Sequence, residues 1–169
     1  VGSEMCIRDS LGSLSALAGC ATLASKAPAK AQVVVIGGGY GGATAAKYVR
    51  VFSNYKISVV LVEPNTSFIS CPMSNLVLGG SKTMAQITSP YNALSGNHGV
   101  TLVHDSVTSI DPAKKTVTLQ NGPTISYDKL ILSPGVDMHF DSVEGLQAAN
   151  ASGQILQAWK AGDETTALR

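Results

Sequence analysis

Charge is scarce in this chain: 14% of its 169 residues are charged, and twelve Lys plus Arg against eleven Asp plus Glu leave a net charge of +1. Without a basic surplus there is no electrostatic footprint for nucleic acid, and no polybasic run suited to an anionic membrane surface. No apolar stretch reaches the roughly 18 residues that a transmembrane helix needs. Three cysteines are too few for a disulfide scaffold. There is no fixed-period repeat, and no G-x-S-x-G, H-E-x-x-H or C-x-x-C motif. His98, His104 and His139 are scattered without ligand spacing. What the chain does have is 44% hydrophobic residues and seventeen glycines. That composition excludes a disordered acidic or basic tail and fits about one domain.

The first thirty-one residues stand apart from the rest. Residues 1–10, VGSEMCIRDS, show neither an apolar period nor helix-cap logic. They resemble the frame translation of a transposase mosaic-end sequencing adapter, and are expected to be an artefact of that origin, with an ordinary polar leader as the other reading. Leu11 to Ser25 is uncharged, apolar and small, like the apolar region of a truncated export signal. Two processing readings are open. Leu17-Ala18-Gly19-Cys20 has the form of a lipobox, with Cys20 as the lipid-bearing residue, and Ala29-Lys30-Ala31 fits a small-x-small cleavage site. A surface helix would also suit Ala, Leu and Ser. The expectation is an exported, periplasmic protein whose domain starts at residue 32. Cys71 is then the single cysteine of residues 32–169.

Gln32 to Ile36 is a β-branched apolar run of the kind buried on both faces of a parallel sheet. It leads into Gly37-Gly38-Gly39-Tyr40-Gly41-Gly42, which contains G-x-G-x-x-G at Gly37, Gly39 and Gly42. A helix over Ala43–Phe52 and a second strand over Ile57–Val62 follow, ending at Glu63. Gly37 permits the tight turn, Gly39 lets a pyrophosphate approach the backbone, and Gly42 allows close helix–strand packing. The helix N-terminus offers N–H groups and partial positive charge to phosphates. A carboxylate at Glu63 suits ribose hydroxyls. The spacing predicts a dinucleotide fold of the α/β class, without choosing between FAD and NAD.

Pro64 to Pro72 reads as a loop beyond the second strand, where ligands of open α/β sheets bind, and it carries Cys71. Short helices are expected at Ser74–Leu78 and from Tyr91, ending near Gly96. Val100–Val107 reads as a third strand. Thr116–Leu119 and Thr124–Ser126, joined by the hairpin signal Asn121-Gly122, make a β-meander in place of a second crossover helix. Tyr127–Leu132 then runs as a strand into Ser133-Pro134-Gly135. Gln154–Arg169 is weakly helical, and the chain is expected to be an N-terminal part of a longer flavoprotein with two dinucleotide-binding domains.

The stretches VVVIGGGYGGATAAKYVR, VEPNTSFISCPMSNLVLGG, VHDSVTSIDPAKKTV with YDKLILSPG, and AWKAGDETTALR resemble the flavoprotein subunits of flavocytochrome c sulfide dehydrogenases. The resemblance covers Val33 to Arg169. It implies a Rossmann-like FAD-binding domain with parallel sheet plus β-meander, and FAD held through a thioether at Cys71, within Ser70-Cys71-Pro72-Met73. By the same resemblance Gly37, Gly39 and Gly42 hold the pyrophosphate, and Gly38, Tyr40 and Gly41 between them belong to the cofactor site. Glu63 meets the ribose, and Pro64 and Asn65 beside it belong to the cofactor site. The strand end near Val107 meets adenine, and Ser133, Pro134 and Gly135 pass close to the cofactor. The family oxidises sulfide at a redox cysteine pair and passes electrons through FAD to a haem-bearing cytochrome c subunit. That pair is expected beyond residue 169, so no catalytic residue is assigned here.

Other residues carry less. His104-Asp105 reads as a surface pair at a strand end, Glu144, Asp163 and Glu164 as solvated, Lys114-Lys115 as a turn, and Met73 and Met84 as packing. Two other functions remain open: a sulfide:quinone or NADH:quinone oxidoreductase, and a non-catalytic FAD-binding module.

Overall fold

A computed structural model describes residues 31–169. The adapter-like and signal-like segments, with Cys20, lie outside the described residues. Four strands form the central parallel sheet: β1 (Gln32–Ile36), β2 (Ser58–Val62), a short third strand at Thr101–Val103 and a last one at Lys129–Leu132. Between β1 and β2 runs helix α1 (Tyr40–Phe52). After β2 the chain forms β3 (Ser67–Ile69), a 3-10 turn (Cys71–Met73), α2 (Ser74–Leu78), β4 (Thr88–Pro90) and α3 (Asn92–His98). β5 (Thr101–Val103) is followed by the meander β6 (Val107–Asp111), β7 (Thr116–Leu119) and β8 (Ile125–Ser126), and then β9 (Lys129–Leu132). Helices α4 (Leu146–Ala151) and α5 (Asp163–Ala167) close the described chain.

The sheet order is β5-β2-β1-β9. Successive strands thus leave β1 on one side and return on the other, which makes the carboxyl end of β1 a topological switch point. Alternation along the strands supplies both faces. Val33, Val35, Val59 and Leu61 pack against Ala46 of α1 and against Tyr91 and Val100. Val34, Val60 and Val62 face Val117 and Leu119 of the meander. The result is three layers: helices, parallel sheet, antiparallel meander. Each of these buried Val and Leu side chains contributes roughly 1.5–3 kcal/mol.

The glycine-loop unit follows its expected order, with α1 beginning three residues earlier, at Tyr40. Elsewhere four readings change. The third strand ends at Val103, and Val107 opens β6 instead of closing that strand. The break is made by Asp105, a buried carboxylate that accepts hydrogen bonds from the Ser106 N–H at 2.7 Å and from the Asn121 N–H at 2.9 Å. Asn121 is engaged by Asp105 through its N–H and side chain, while β7 and β8 pair antiparallel around the Asn121-Gly122 loop as the hairpin signal suggests. The Pro64–Pro72 segment is not all loop, because β3 pairs antiparallel with β4. α3 runs past Gly96 to His98 and stops at left-handed Gly99. Helix at the C-terminal end is confined to Asp163–Ala167, and Leu146–Ala151 forms one that periodicity did not mark. Among the described residues no helix is long and apolar enough to cross a membrane.

Candidate dinucleotide site at the carboxyl edge of the sheet

The strand ends converge through backbone hydrogen bonds. Gly37 N–H donates to the Val62 carbonyl at 2.9 Å, Glu63 N–H to Val103 at 3.0 Å, and Ser133 N–H to Ile36 at 2.8 Å. The glycine loop, Glu63 and Ser133 are thus fixed side by side. The glycines then divide by what surrounds them. A Cβ at Gly42 would overlap the Gly37 carbonyl, and one at Gly37 the Ser133 carbonyl, so chain packing explains both. A Cβ at Gly39 would meet nothing nearer than the Phe68 ring at 4.0 Å. Nothing in the chain requires glycine there, whereas a ligand lying against the backbone would.

Gly39 is also the N-cap of α1, and the first intrahelical bond is Ala43 N–H to the Gly39 carbonyl at 2.9 Å. The N–H groups ahead of it have no intrahelical partner. The first turn carries no acidic residue and no side-chain cap. A thirteen-residue helix with a bare N-terminus facing open space fits an anionic phosphate group.

Glu63 braces the loop from the end of β2. One carboxylate oxygen accepts from the Gly38 N–H at 2.8 Å, and the other accepts from the Asn65 N–H at 3.0 Å and side chain at 2.7 Å. Pro64 is exposed beside them. From the opposite side the buried Tyr91 hydroxyl donates to the Gly38 carbonyl at 2.9 Å. The Gly38 peptide is held at both its N–H and its C=O. Burial, with the nearby Glu63 charge, pushes the Tyr91 hydroxyl up to about 12. Sequence reading missed Tyr91, since its partner lies 53 residues away.

Tyr40 opens α1, and its ring meets Phe68 edge-on at 4.8 Å. Its hydroxyl shares a 2.6 Å hydrogen bond with Ser70. It separates two hollows. The smaller, about 170 Å³, lies against Gly38, Gly39 and Tyr91. The larger, about 650 Å³, is lined by Tyr40, Phe68, Cys71, Gly135 and Trp159. Cys71 is half-buried and free, and it packs with Met73 and Met84 against Val77, Ile87 and Ala161. The 650 Å³ hollow falls in the size range of small-ligand sites. The Gly loop, Glu63 and Ser133 thus form one edge, Cys71 and Gly135 share the adjoining hollow, and Pro134 is exposed between Ser133 and Gly135. Val107 belongs to the meander, packed against the sheet.

The remaining candidates fall into place. His104 Nδ1 lies 3.1 Å from the Glu63 carbonyl. Asp105 is a buried clamp, not a surface group: burial raises its carboxyl, but hydrogen bonds from Asn121 and Ser106 outweigh that and hold it below the usual range. Glu164 accepts from the Gln157 N–H at 2.7 Å and from the Asn150 side chain, so it organises the chain instead of being simply solvated. Lys115 sits in a left-handed turn, as its sequence suggests. Among the described residues no cluster of metal-ligating side chains occurs.

Residues 31–164 match the pyridine nucleotide-disulphide oxidoreductase family. The chain belongs to that family. Membership supports FAD as the dinucleotide that the site takes. The chain is similar to the mitochondrial sulfide:quinone oxidoreductase of Dictyostelium discoideum, at 32% identity over 116 residues, 69% of this chain and 25% of that one. It is 59% identical over 46 residues to a sulfide dehydrogenase [flavocytochrome c] flavoprotein chain of Chlorobaculum thiosulfatiphilum, covering 27% of this chain and 94% of that sequence. The structure of the sulfide:quinone oxidoreductase of Aquifex aeolicus superposes with a TM-score of 0.61 at 31% identity, covering 69% of this chain and 27% of that one. The chain therefore spans about a quarter of the length of the sulfide:quinone oxidoreductases it matches.

Proposed function

We propose that this chain is the FAD-binding part of a sulfide dehydrogenase, with the cofactor attached through Cys71, oxidising sulfide to sulfur and delivering electrons to a cytochrome c subunit. The observation that carries this reading is the placement of Cys71 in a hollow that adjoins the glycine loop across Tyr40. Gly39 and the N-terminus of α1 would hold the pyrophosphate, Glu63 and Asn65 the ribose, Val107 the adenine through its backbone, and Ser133 to Gly135 the flavin side. Bound FAD supplies a two-electron acceptor that can release electrons singly to a haem. The chain's residues bind it, orient it and keep it from dissociating. In the family that the sequence resembles sulfide is oxidised at a redox cysteine pair, and besides Cys71 the sequence holds only Cys6 and Cys20. We assign the pair to sequence beyond these residues. The apolar run Leu11–Ser25 supports export to the periplasm, with Cys20 as the lipid anchor in the lipobox reading.

The 32% identity to a sulfide:quinone oxidoreductase over 69% of the chain favours a second reading, in which a quinone replaces the cytochrome. A non-catalytic FAD-binding module is the third. Expression with FAD followed by acid precipitation tests the first. Yellow colour retained in the pellet, an intact mass higher by one FAD, and loss of both in Cys71→Ser support it. Colour released to the supernatant removes the tether and leaves the quinone-linked and non-catalytic readings.

A further inference from the structure

Trp159, the single tryptophan of the sequence, is half exposed and lines the same hollow as Cys71. In a concave wall a large aromatic offers a flat apolar face on which another ring can stack. Its presentation is built, not incidental. The Gln157 side chain closes a turn over Lys160, accepting from the Lys160 N–H at 2.8 Å and donating to its carbonyl at 3.3 Å. Glu164 ties the front of that turn through the Gln157 N–H at 2.7 Å. Just behind it, Ala161 is buried in the small apolar cluster that also receives Cys71 and Met73. The Trp159 turn and the Cys71 turn are therefore held by one cluster, and α5 packs on α2. Across the hollow, Lys160 Nζ lies 3.1 Å from the Asp137 carboxylate, which fastens the turn to the segment after Gly135.

We propose that Trp159 forms a wall of the seat for the flavin ring, and that the Lys160–Asp137 ion pair positions it there. The inference rests on the FAD reading above. The hollow has the chemistry for a flat aromatic ring: Tyr40, Phe68 and Trp159 around it, with Pro72 and Val136 as apolar sides. The glycine loop takes the ADP half of the cofactor across Tyr40, so the ring half falls to the hollow that contains Cys71. Trp159 is then a cofactor-contacting residue. Lys160 lines the hollow beside Trp159, and Asp137 acts through the Lys160 ion pair.

The ADP half and the ring half can be separated experimentally, since ADP shares the first and lacks the second. Binding of FAD and of ADP is measured by calorimetry in a Cys71→Ser background, where exchange is reversible. Trp159→Ala is expected to weaken FAD about tenfold or more, the usual scale for removing an aromatic stacking partner. ADP affinity should stay within about twofold, which also reports that the site is folded, and Trp159→Phe should restore most FAD binding. Lys160→Gln and Asp137→Asn should each weaken FAD about two- to fourfold at low salt, as expected for an exposed ion pair. The charge-swapped double variant should recover it, and the effect should vanish at high salt. Equal weakening of FAD and ADP in Trp159→Ala, or unchanged FAD affinity, overturns the proposal. ADP binding by the parent chain with no gain for FAD overturns it too. Failure of the parent to bind either ligand removes the FAD reading itself, and the seat with it.

Discussion

Gly39→Ala and Gly42→Ala insert the same methyl group three residues apart, and the structure assigns them opposite consequences. At Gly42 the new Cβ would overlap the Gly37 carbonyl and come within 3.3 Å of Val35 Cγ1. Both are fixed, the first as backbone and the second as a fully buried side chain. The helix must move off the strand, which costs about 1–3 kcal/mol as an overpacked core position. At Gly39 the backbone angles of −65° and −172° suit alanine, and the nearest atom is 4.0 Å away. Restricting the unfolded chain contributes about 0.4–1 kcal/mol in favour of alanine. Alanine is a poorer N-cap than glycine, which costs a similar amount, so the net is about zero. Binding responds differently. The Gly39 methyl occupies the approach to the N–H groups of α1. Losing one charge-assisted phosphate contact costs about 2 kcal/mol, or about thirtyfold in affinity. Urea unfolding of the apoproteins and FAD titration separate the two effects. Gly39→Ala should unfold with the parent and bind poorly, whereas Gly42→Ala should unfold early. A Gly39→Ala chain that binds FAD like the parent, or loses as much stability as Gly42→Ala, refutes the division of labour between these glycines.

Tyr91→Phe leaves the Gly38 carbonyl without its donor and should lower stability by about 1–3 kcal/mol in denaturant titrations. Because the folded Tyr91 hydroxyl is pushed up to about 12 from an ordinary value near 10, its contribution is complete below that lower value and is lost as pH rises through the higher one. The stability difference between parent and Tyr91→Phe should therefore shrink over that alkaline window, and a constant difference would contradict the assignment. Asp105→Asn should destabilise at neutral pH and fray the meander in amide exchange. The Asp105 carboxyl is held below the usual range, so the gap from the parent should close as pH falls below about 4, and a gap that persists in acid would count against the clamp.

The first βαβ unit was legible because its signals are local. A β-branched run, glycines at fixed offsets and an acid at the end of the next strand each report on a few neighbouring residues. The meander was legible as alternation and in its Asn121-Gly122 hairpin, but the Asp105 clamp on that loop was not, since the two partners lie sixteen residues apart. β3 and β4 escaped because three-residue strands carry too little pattern, and their pairing is set by packing. Tyr91 escaped for the same reason: nothing near it in sequence needs a donor. Cys71 stood out through its surrounding motif and its isolation, whereas Trp159 read as one apolar residue of a weak helix. Only the fold brings it to the wall that Cys71 lines.

The central claim is that this site holds FAD and that Cys71 tethers it, and tryptic mapping of the yellow holoprotein tests it most directly. Cleavage after Lys56 and Lys82 releases residues 57–82, which contain Cys71 and no other cysteine. The account predicts that flavin fluorescence travels with that peptide after denaturation, at a mass raised by one FAD. Flavin recovered free, or on any other peptide, would contradict it.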